Sequence, residues 1–382
     1  MFPSGGIKIA RILGIEILIN PTWILIFALV GFSLAETMRD AAMTGHPGRF
    51  PAGPWPWIFG FATAAVFFAC LLAHELSHSY VAKRNGVQIR RITLFIFGGV
   101  AEMSEDVSDP VTELKMALAG PLMTFFLAGV FYLLYRIVAA DPSRGPLWIV
   151  PLYLLFMINL FVGVFNLLPG FPLDGGRVFR AILWKITGDL RKATRAASYG
   201  GQIIAVGIAG VGVYLVVTNA LVSGIWLILI AVFVFQLSRV SYQQTLYKIA
   251  IADTRVRDLM FEEVPTVDEN ITLTALRTHY FTSYHLPALP VVDSDGFAKG
   301  LVSRDDLVAV NPSEWDLLNA GRIAKPVTED QVVDPDDTLD KVMRRVTRVE
   351  GFLLVMRDGK VVGILTADEL MRYIKARVKT PQ

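Results

Sequence analysis

Cysteine is almost missing from this chain of 382 residues. Cys70 stands alone, which excludes an intrachain disulfide framework and any cluster of cysteine metal ligands. Charge is scarce as well, with Asp, Glu, Lys and Arg at 18% of residues against about 25% in a soluble globular domain. The scarcity is uneven: residues 1–240 hold 18 Lys and Arg with 12 Asp and Glu, and residues 241–382 hold 18 with 22. From Arg195 to Arg239 no Asp, Glu, Lys, Arg or His intervenes. No small-residue cleavage site follows the first apolar run, which Glu16 interrupts, so a removable signal peptide is not expected. A net charge of +2 gives no electrostatic footprint for nucleic acid, and none is expected as a partner.

What remains is apolar, with 53% hydrophobic residues and a mean hydropathy of +0.50. A helix needs about 20 apolar residues to cross the hydrocarbon layer. Six runs meet that need, at about 17–36, 57–82, 112–136, 147–168, 200–218 and 221–238. With the N-terminus inside, fourteen Lys and Arg fall in inner loops, and only Arg39, Arg49, Arg136 and Arg144 fall outside. This bias predicts a multi-pass protein of the cell (plasma or inner) membrane with both termini cytoplasmic.

Two stretches break the helical pattern. Val87–Phe97 is rich in β-branched and aromatic residues and ends at Gly98-Gly99, which reads as a strand or hairpin lying against protein at the membrane. The tail repeats itself: Asp295-Gly296 recurs as Asp358-Gly359, and the Gly300–Ser303 segment recurs as Gly363–Thr366. Two copies of one α/β module follow from that repeat. The expected fold is a polytopic α-helical membrane protein of about six transmembrane helices with a small membrane-associated β-hairpin, plus a cytoplasmic α/β pair. Its units span residues 1–246 and 247–382.

The strongest chemical signal is His74-Glu75-Leu76-Ser77-His78. On a helix the two histidines share a face, as two ligands of one metal must, and Glu75 can act as a base toward water. Ionisable groups inside an apolar run are expensive and usually functional. The remaining histidines, His46, His279 and His285, are poorly placed for a third ligand, which leaves a carboxylate. Glu16, Glu102, Glu105, Asp106, Asp109, Glu113, Asp174 and Asp189 are available on the membrane side. Asp174 stands out because prolines and glycines in Asn166–Gly176 break the helix before it. A turn aspartate capping the next helix is the competing reading.

HExxH in one apolar run, followed about a hundred residues later by NxxPxxxLDGG after another, resembles the site-2 protease family of intramembrane zinc metalloproteases. Pro21-Thr22-Trp23, Gly98-Gly99 and Ala119-Gly120-Pro121 also match. The resemblance covers about residues 8–190. It implies one zinc ion per chain held by His74, His78 and Asp174, with Glu75 as general base. It also implies that Asn166 holds the substrate or the oxyanion, and that the substrates are single-span, membrane-tethered regulators. The strand ending in Ile96, Phe97, Gly98 and Gly99 is expected to bind an unwound substrate segment by edge pairing.

Val256–Val310 and Ala320–Ile374 resemble a tandem CBS (cystathionine-β-synthase) domain pair. The resemblance implies binding of ATP or another adenine nucleotide through Ser303, Asp306, Thr366 and Glu369, gating of the membrane activity, and a homodimer formed through the pair. A pair used only for dimerisation remains open. Two other classes also stay open: a CBS-regulated membrane metal-ion transporter, and an HExxH protease of another fold whose third ligand is a Glu.

Overall fold

The computed structural model describes residues 6–44, 53–96, 98–103, 107, 109–140, 146–252, 254–262, 264–283, 288–339, 341–342, 352–366 and 369–373. The chain divides into two units, Met1–Tyr242 and Gln243–Gln382.

In the first unit a hairpin of β1 (Ile7–Ile12) and β2 (Ile15–Ile19) precedes the helices α1 (Trp23–Thr44) and α2 (Trp55–Arg84). A second hairpin, β3 (Ile89–Phe95) and β4 (Gly98–Met103), leads to α3 (Pro110–Ala139), α4 (Pro146–Asn166), the short α5 (Asp174–Thr187), α6 (Leu190–Val217) and α7 (Leu221–Ala252), whose residues from Gln243 on fall in the second unit. Local chemistry sets several of these boundaries. Asp109 caps α3 by accepting the Thr112 N–H at 2.8 Å, with Pro110 in the first turn. Lys83 and Arg84 close α2, where a basic last turn suits the carbonyl end of the helix, and Gly86 follows at φ +85°.

Five helical segments among the described residues are long and apolar enough to cross a membrane: Trp55–Arg84, Pro110–Ala139, Trp148–Asn166, Leu190–Val217 and Leu221–Ile249. The start of the expected first crossing at 17–36 is corrected. Ile15–Ile19 alternates between the two faces as strand β2, and the helix begins only at Trp23. That helix carries Glu36, Arg39 and Asp40 in its second half, and Arg39 pairs with Glu36 at 2.5 Å. The expected hairpin is present within a larger sheet of order β1-β2-β3-β4, with β2 and β3 parallel and the other pairs antiparallel. Ile15, Ile17, Ile92 and Leu94 form its core and pack against Leu72 and Leu76 of α2. The sheet therefore lies on the helix that bears the histidines.

The second unit holds two sheets of one pattern. β5 (Val267–Asp268) runs parallel to β6 (Ala288–Val292), which pairs antiparallel with β7 (Ala298–Ser303). β8 (Val332–Val333), β9 (Phe352–Arg357) and β10 (Lys360–Thr366) repeat that order. The first module also holds α8 (Leu273–Ala275) and α9 (Arg304–Val308). α10 (Ala320–Ile323) starts the second repeat in sequence but packs Ala320 into the core of the first module. The repeated Asp-Gly pairs form the β6–β7 and β9–β10 turns, with Gly296 at φ +83° and Gly359 at φ +81°. Each module has its own core, one around Leu276, Leu289 and Val302, the other around Leu339, Leu353 and Leu365.

Candidate metal centre

His74 and His78 are buried one turn apart on α2, and their rings meet edge to face. His78 Nε2 lies 3.1 Å from His74 Nε2. Asp174 Oδ2 lies 3.0 Å from His74 Nε2 and 3.2 Å from His78 Nε2. Three ligand atoms from two helices thus converge on one point. Among the described residues this is the group able to hold a metal ion.

The other ring nitrogens show what these atoms are. His78 Nδ1 is 2.6 Å from the Met116 carbonyl of α3. A carbonyl only accepts, so Nδ1–H must donate, and in the neutral ring Nε2 keeps its lone pair. His74 Nδ1 is 2.7 Å from the Thr124 hydroxyl, which itself donates to the Gly120 carbonyl at 3.2 Å. That hydroxyl hydrogen is committed, so His74 Nδ1–H donates as well. With both rings neutral, two imidazole lone pairs and a carboxylate oxygen then face one another. Repulsion of that kind is relieved by a cation at the centre, and two nitrogens with one oxygen form a zinc-type donor set. The residues present fit the ion.

Gly120 leaves room for this arrangement. A Cβ there would lie 2.6 Å from His74 Nε2 and closer still to His78 Nε2. Sequence reading marked Gly120 only through its Ala-Gly-Pro resemblance and missed the Thr124 and Met116 contacts. Thr124 falls four residues after Gly120 on one helix face, a spacing that could have flagged it.

The shortlist of carboxylates resolves by partner. Glu16 pairs with Lys8 at 2.5 Å, and Glu102 with Arg91 at 2.7 Å. Asp109 caps α3 and Asp189 caps α6, while Glu113 pairs with Arg180. Glu105 and Asp106 lie outside the described residues. Asp174 is not a capping aspartate: Leu173 occupies the cap position of α5, and the Asp174 carboxylate turns to the histidines instead. Its loop is held by α6 and α7. Phe171 N–H donates to the Ala197 carbonyl at 3.1 Å, and the Ser238 hydroxyl donates to the Phe171 carbonyl. Gly201 lies so close to Phe171 O that any side chain there would collide.

Glu75 is half-buried beside the cluster on α2. A Cβ on Gly99 would come within 2.7 Å of its Cγ, so β4 passes directly against the Glu75 side chain. Pairing at a free edge needs one correction. β3 lies between β2 and β4, and the outer strand on this side of the sheet is β4, which starts at Gly98. Ile96 sits in the turn between them, and Phe97 lies outside the described residues. Asn166 ends α4, eight positions before Asp174, and is not part of the three-residue cluster.

In the second unit Ser303 and Asp306 form the capping box of α9. Ser303 Oγ donates to Asp306 Oδ2 at 2.5 Å, and Asp306 N–H donates back to Ser303 Oγ at 3.1 Å. Lys325 Nζ adds an ion pair to Asp306 Oδ1 at 2.5 Å. Burial pushes the Asp306 carboxyl up, but the bonds from Lys325 and Ser303 outweigh it and hold it below its ordinary value. Thr366 repeats the motif by accepting the Glu369 N–H at 3.2 Å. These pairs have structural work of their own.

Residues 62–144 and 138–208 match Peptidase family M50, and residues 256–312 and 321–376 match the CBS domain. The Rip3 protein of Mycobacterium tuberculosis, named as a zinc metalloprotease, is 33% identical over 371 residues, covering 97% of this chain and 93% of that one. A zinc metalloprotease of Methanocaldococcus jannaschii is 28% identical over 376 residues, 96% of this chain and 95% of its own. The solved site-2 protease from the same organism is 33% identical, covering 62% of this chain and 95% of that chain, with a TM-score of 0.41. From the extent of the match to Rip3 and the two M50 segments around the histidines and Asp174, the chain belongs to peptidase family M50, the site-2 protease family of membrane-embedded zinc metalloproteases, and carries a tandem CBS pair.

Proposed function

We propose that this chain cleaves a peptide bond inside the transmembrane segment of single-span, membrane-tethered regulatory proteins, with one zinc ion held by His74, His78 and Asp174. The observation that carries the reading is the convergence of two Nε2 lone pairs and one carboxylate oxygen within 3.2 Å, with both Nδ1 protons committed to α3. When bound, the ion supplies Lewis-acid charge for the scissile carbonyl and a nucleophilic water at neutral pH. Glu75 takes the proton from the attacking water and returns it to the leaving amine. Asn166, at the end of α4, offers its amide to the developing oxyanion.

A substrate helix hides its carbonyls in its own hydrogen bonds and must unwind before cleavage. The outer edge of β4 supplies main-chain partners for the unwound segment, and Gly99 brings that strand to Glu75 with no side chain between. We assign residues 1–246 to the protease and 247–382 to the CBS pair, with both termini cytoplasmic. That orientation requires α1 to cross as well. Its 22 residues span about 33 Å, and it exposes Ile24, Leu25, Leu29 and Phe32. The CBS pair forms the homodimer contact and gates cleavage through an adenine nucleotide at Ser303, Asp306, Thr366 and Glu369.

Zinc content and cleavage of a single-span substrate in detergent, wild type beside Glu75→Gln, test the catalytic reading. One zinc in both proteins with cleavage only in wild type is expected. Cleavage by Glu75→Gln at the wild-type rate would remove Glu75 as the base, and absence of zinc from both would overturn the metal site. ATP binding to the full chain with a change in cleavage rate is expected, and neither effect at millimolar ATP would end the gating proposal.

A further inference from the structure

Glu113 in α3 is 1% exposed. An ionised carboxylate inside a membrane domain is costly unless it is paired, and such groups usually have a function. Its partner is Arg180 of α5, whose Nε donates to Glu113 Oε1 at 2.8 Å and whose Nη2 donates to the same oxygen. Arg177 Nε stands 4.0 Å from that oxygen. The Arg180 guanidinium also rests over the Phe171 ring, 5.1 Å from its centroid.

The position of this pair matters more than its strength. Three residues after Glu113, the Met116 carbonyl accepts the His78 Nδ1 proton. Six residues before Arg180 on α5 is Asp174. The pair therefore ties the helix that orients a histidine to the helix that brings the carboxylate. α5 has only 14 residues and follows a stretch broken by Pro169, Gly170 and Pro172; that stretch is tied to α6 and α7 through Phe171, and the Glu113–Arg180 pair ties α5 to α3. A slip of one residue shifts a helix by about 1.5 Å and turns it by about 100°, which would carry Asp174 Oδ2 away from both rings. Buried ion pairs contribute little net stability compared with apolar packing, and their best-attested use is to fix a register.

We propose that Glu113 and Arg180 are positioning residues that set the register of α5 on α3 and so hold Asp174 at the metal site. The proposal rests on the zinc reading above. Its test is the zinc affinity of the full-length protein in detergent, by chelator competition on the monodisperse fraction, for wild type, Glu113→Gln, Arg180→Gln and Asp189→Ala. Asp189→Ala removes the α6 cap and lowers stability without touching the pair.

The expected result is zinc binding about 10-fold to 100-fold weaker in the Glu113 and Arg180 variants, with wild-type affinity in Asp189→Ala. Wild-type affinity in Glu113→Gln or Arg180→Gln would overturn the proposal. An equal loss in Asp189→Ala would also overturn it, since general destabilisation would then explain the effect. If both neutral variants fail to give monodisperse protein, Arg180→Lys decides, because it keeps a charge opposite Glu113 but loses the fork. Weaker zinc binding in Arg180→Lys supports the proposal, and wild-type affinity overturns it. A wild type that binds no zinc would fail the metal reading itself, an outcome distinct from any of these.

Discussion

His74 and His78 are oriented by atoms on the far side of their rings. The Met116 carbonyl and the Thr124 hydroxyl take the Nδ1 protons, which fixes the tautomers and aims both Nε2 lone pairs at Asp174 Oδ2. Thr124→Val removes one acceptor while keeping the shape, and is expected to weaken zinc binding about 10-fold to 100-fold. Chelator competition measures this, and an unchanged affinity would mean that the Thr124 contact is incidental. Gly120→Ala should act more severely, because its Cβ would occupy the space between the two Nε2 atoms. Loss of stoichiometric zinc from a folded variant is the expected result. At this scale the cluster was legible in the chain, since HExxH has the spacing of one helix face and LDGG follows a broken helix. The Nδ1 partners were not, because a carbonyl leaves no mark in sequence and Thr124 reads as one more small helix residue.

Helices and strands show where periodicity succeeds and where it misleads. Five apolar runs became helices long enough to cross the bilayer. The first run joined two elements, because Ile15–Ile19 is as apolar as a span yet pairs in register with β1 and β3. Hydropathy alone does not separate a buried strand from the start of a helix. The hairpin at Val87–Phe97 was readable from its β-branched residues, but the choice of β4 over β3 as the outer strand depended on β2 arriving from 70 residues away. In the second unit, Ser303→Ala should destabilise α9 by about 1 kcal/mol, because the capping box loses its hydroxyl. Thermal melts of the full chain would register this, and an unchanged CBS transition would contradict it. Asp306 adds a pH dependence. Its folded carboxyl titrates below the unfolded value, so its contribution is present above about pH 4 and is lost as pH falls through the lower folded value. The stability gap between wild type and Asp306→Asn should therefore narrow in acid. A gap that is constant from pH 7 to pH 3 would show that the Asp306 charge plays no part.

For the whole molecule, the three-residue cluster joins helices that are distant in the chain. His74 and Asp174 are 100 residues apart, and α3 packs between their helices. An ion bound only by the folded state adds stability by mass action. Zinc should therefore raise the melting temperature of metal-stripped wild type and restore cleavage, and should do neither for His78→Ala. Equal thermal shifts in both would indicate binding elsewhere. Composition and order alone carried the division into an apolar part and a charged, internally repeated part, because burial in lipid excludes charge and a repeat leaves matching letters. They also carried the family resemblance, because the ligands of one metal must keep helix spacing. What packing adds is the convergence of the Asp174 carboxylate on both histidines, while Glu16, Glu102, Asp109, Glu113 and Asp189 have other partners. A side chain's partner is set by which helices meet, and that meeting is decided by contacts such as Gly201 on Phe171, Gly120 beneath the histidines, and Arg180 on Glu113, between residues far apart along the chain.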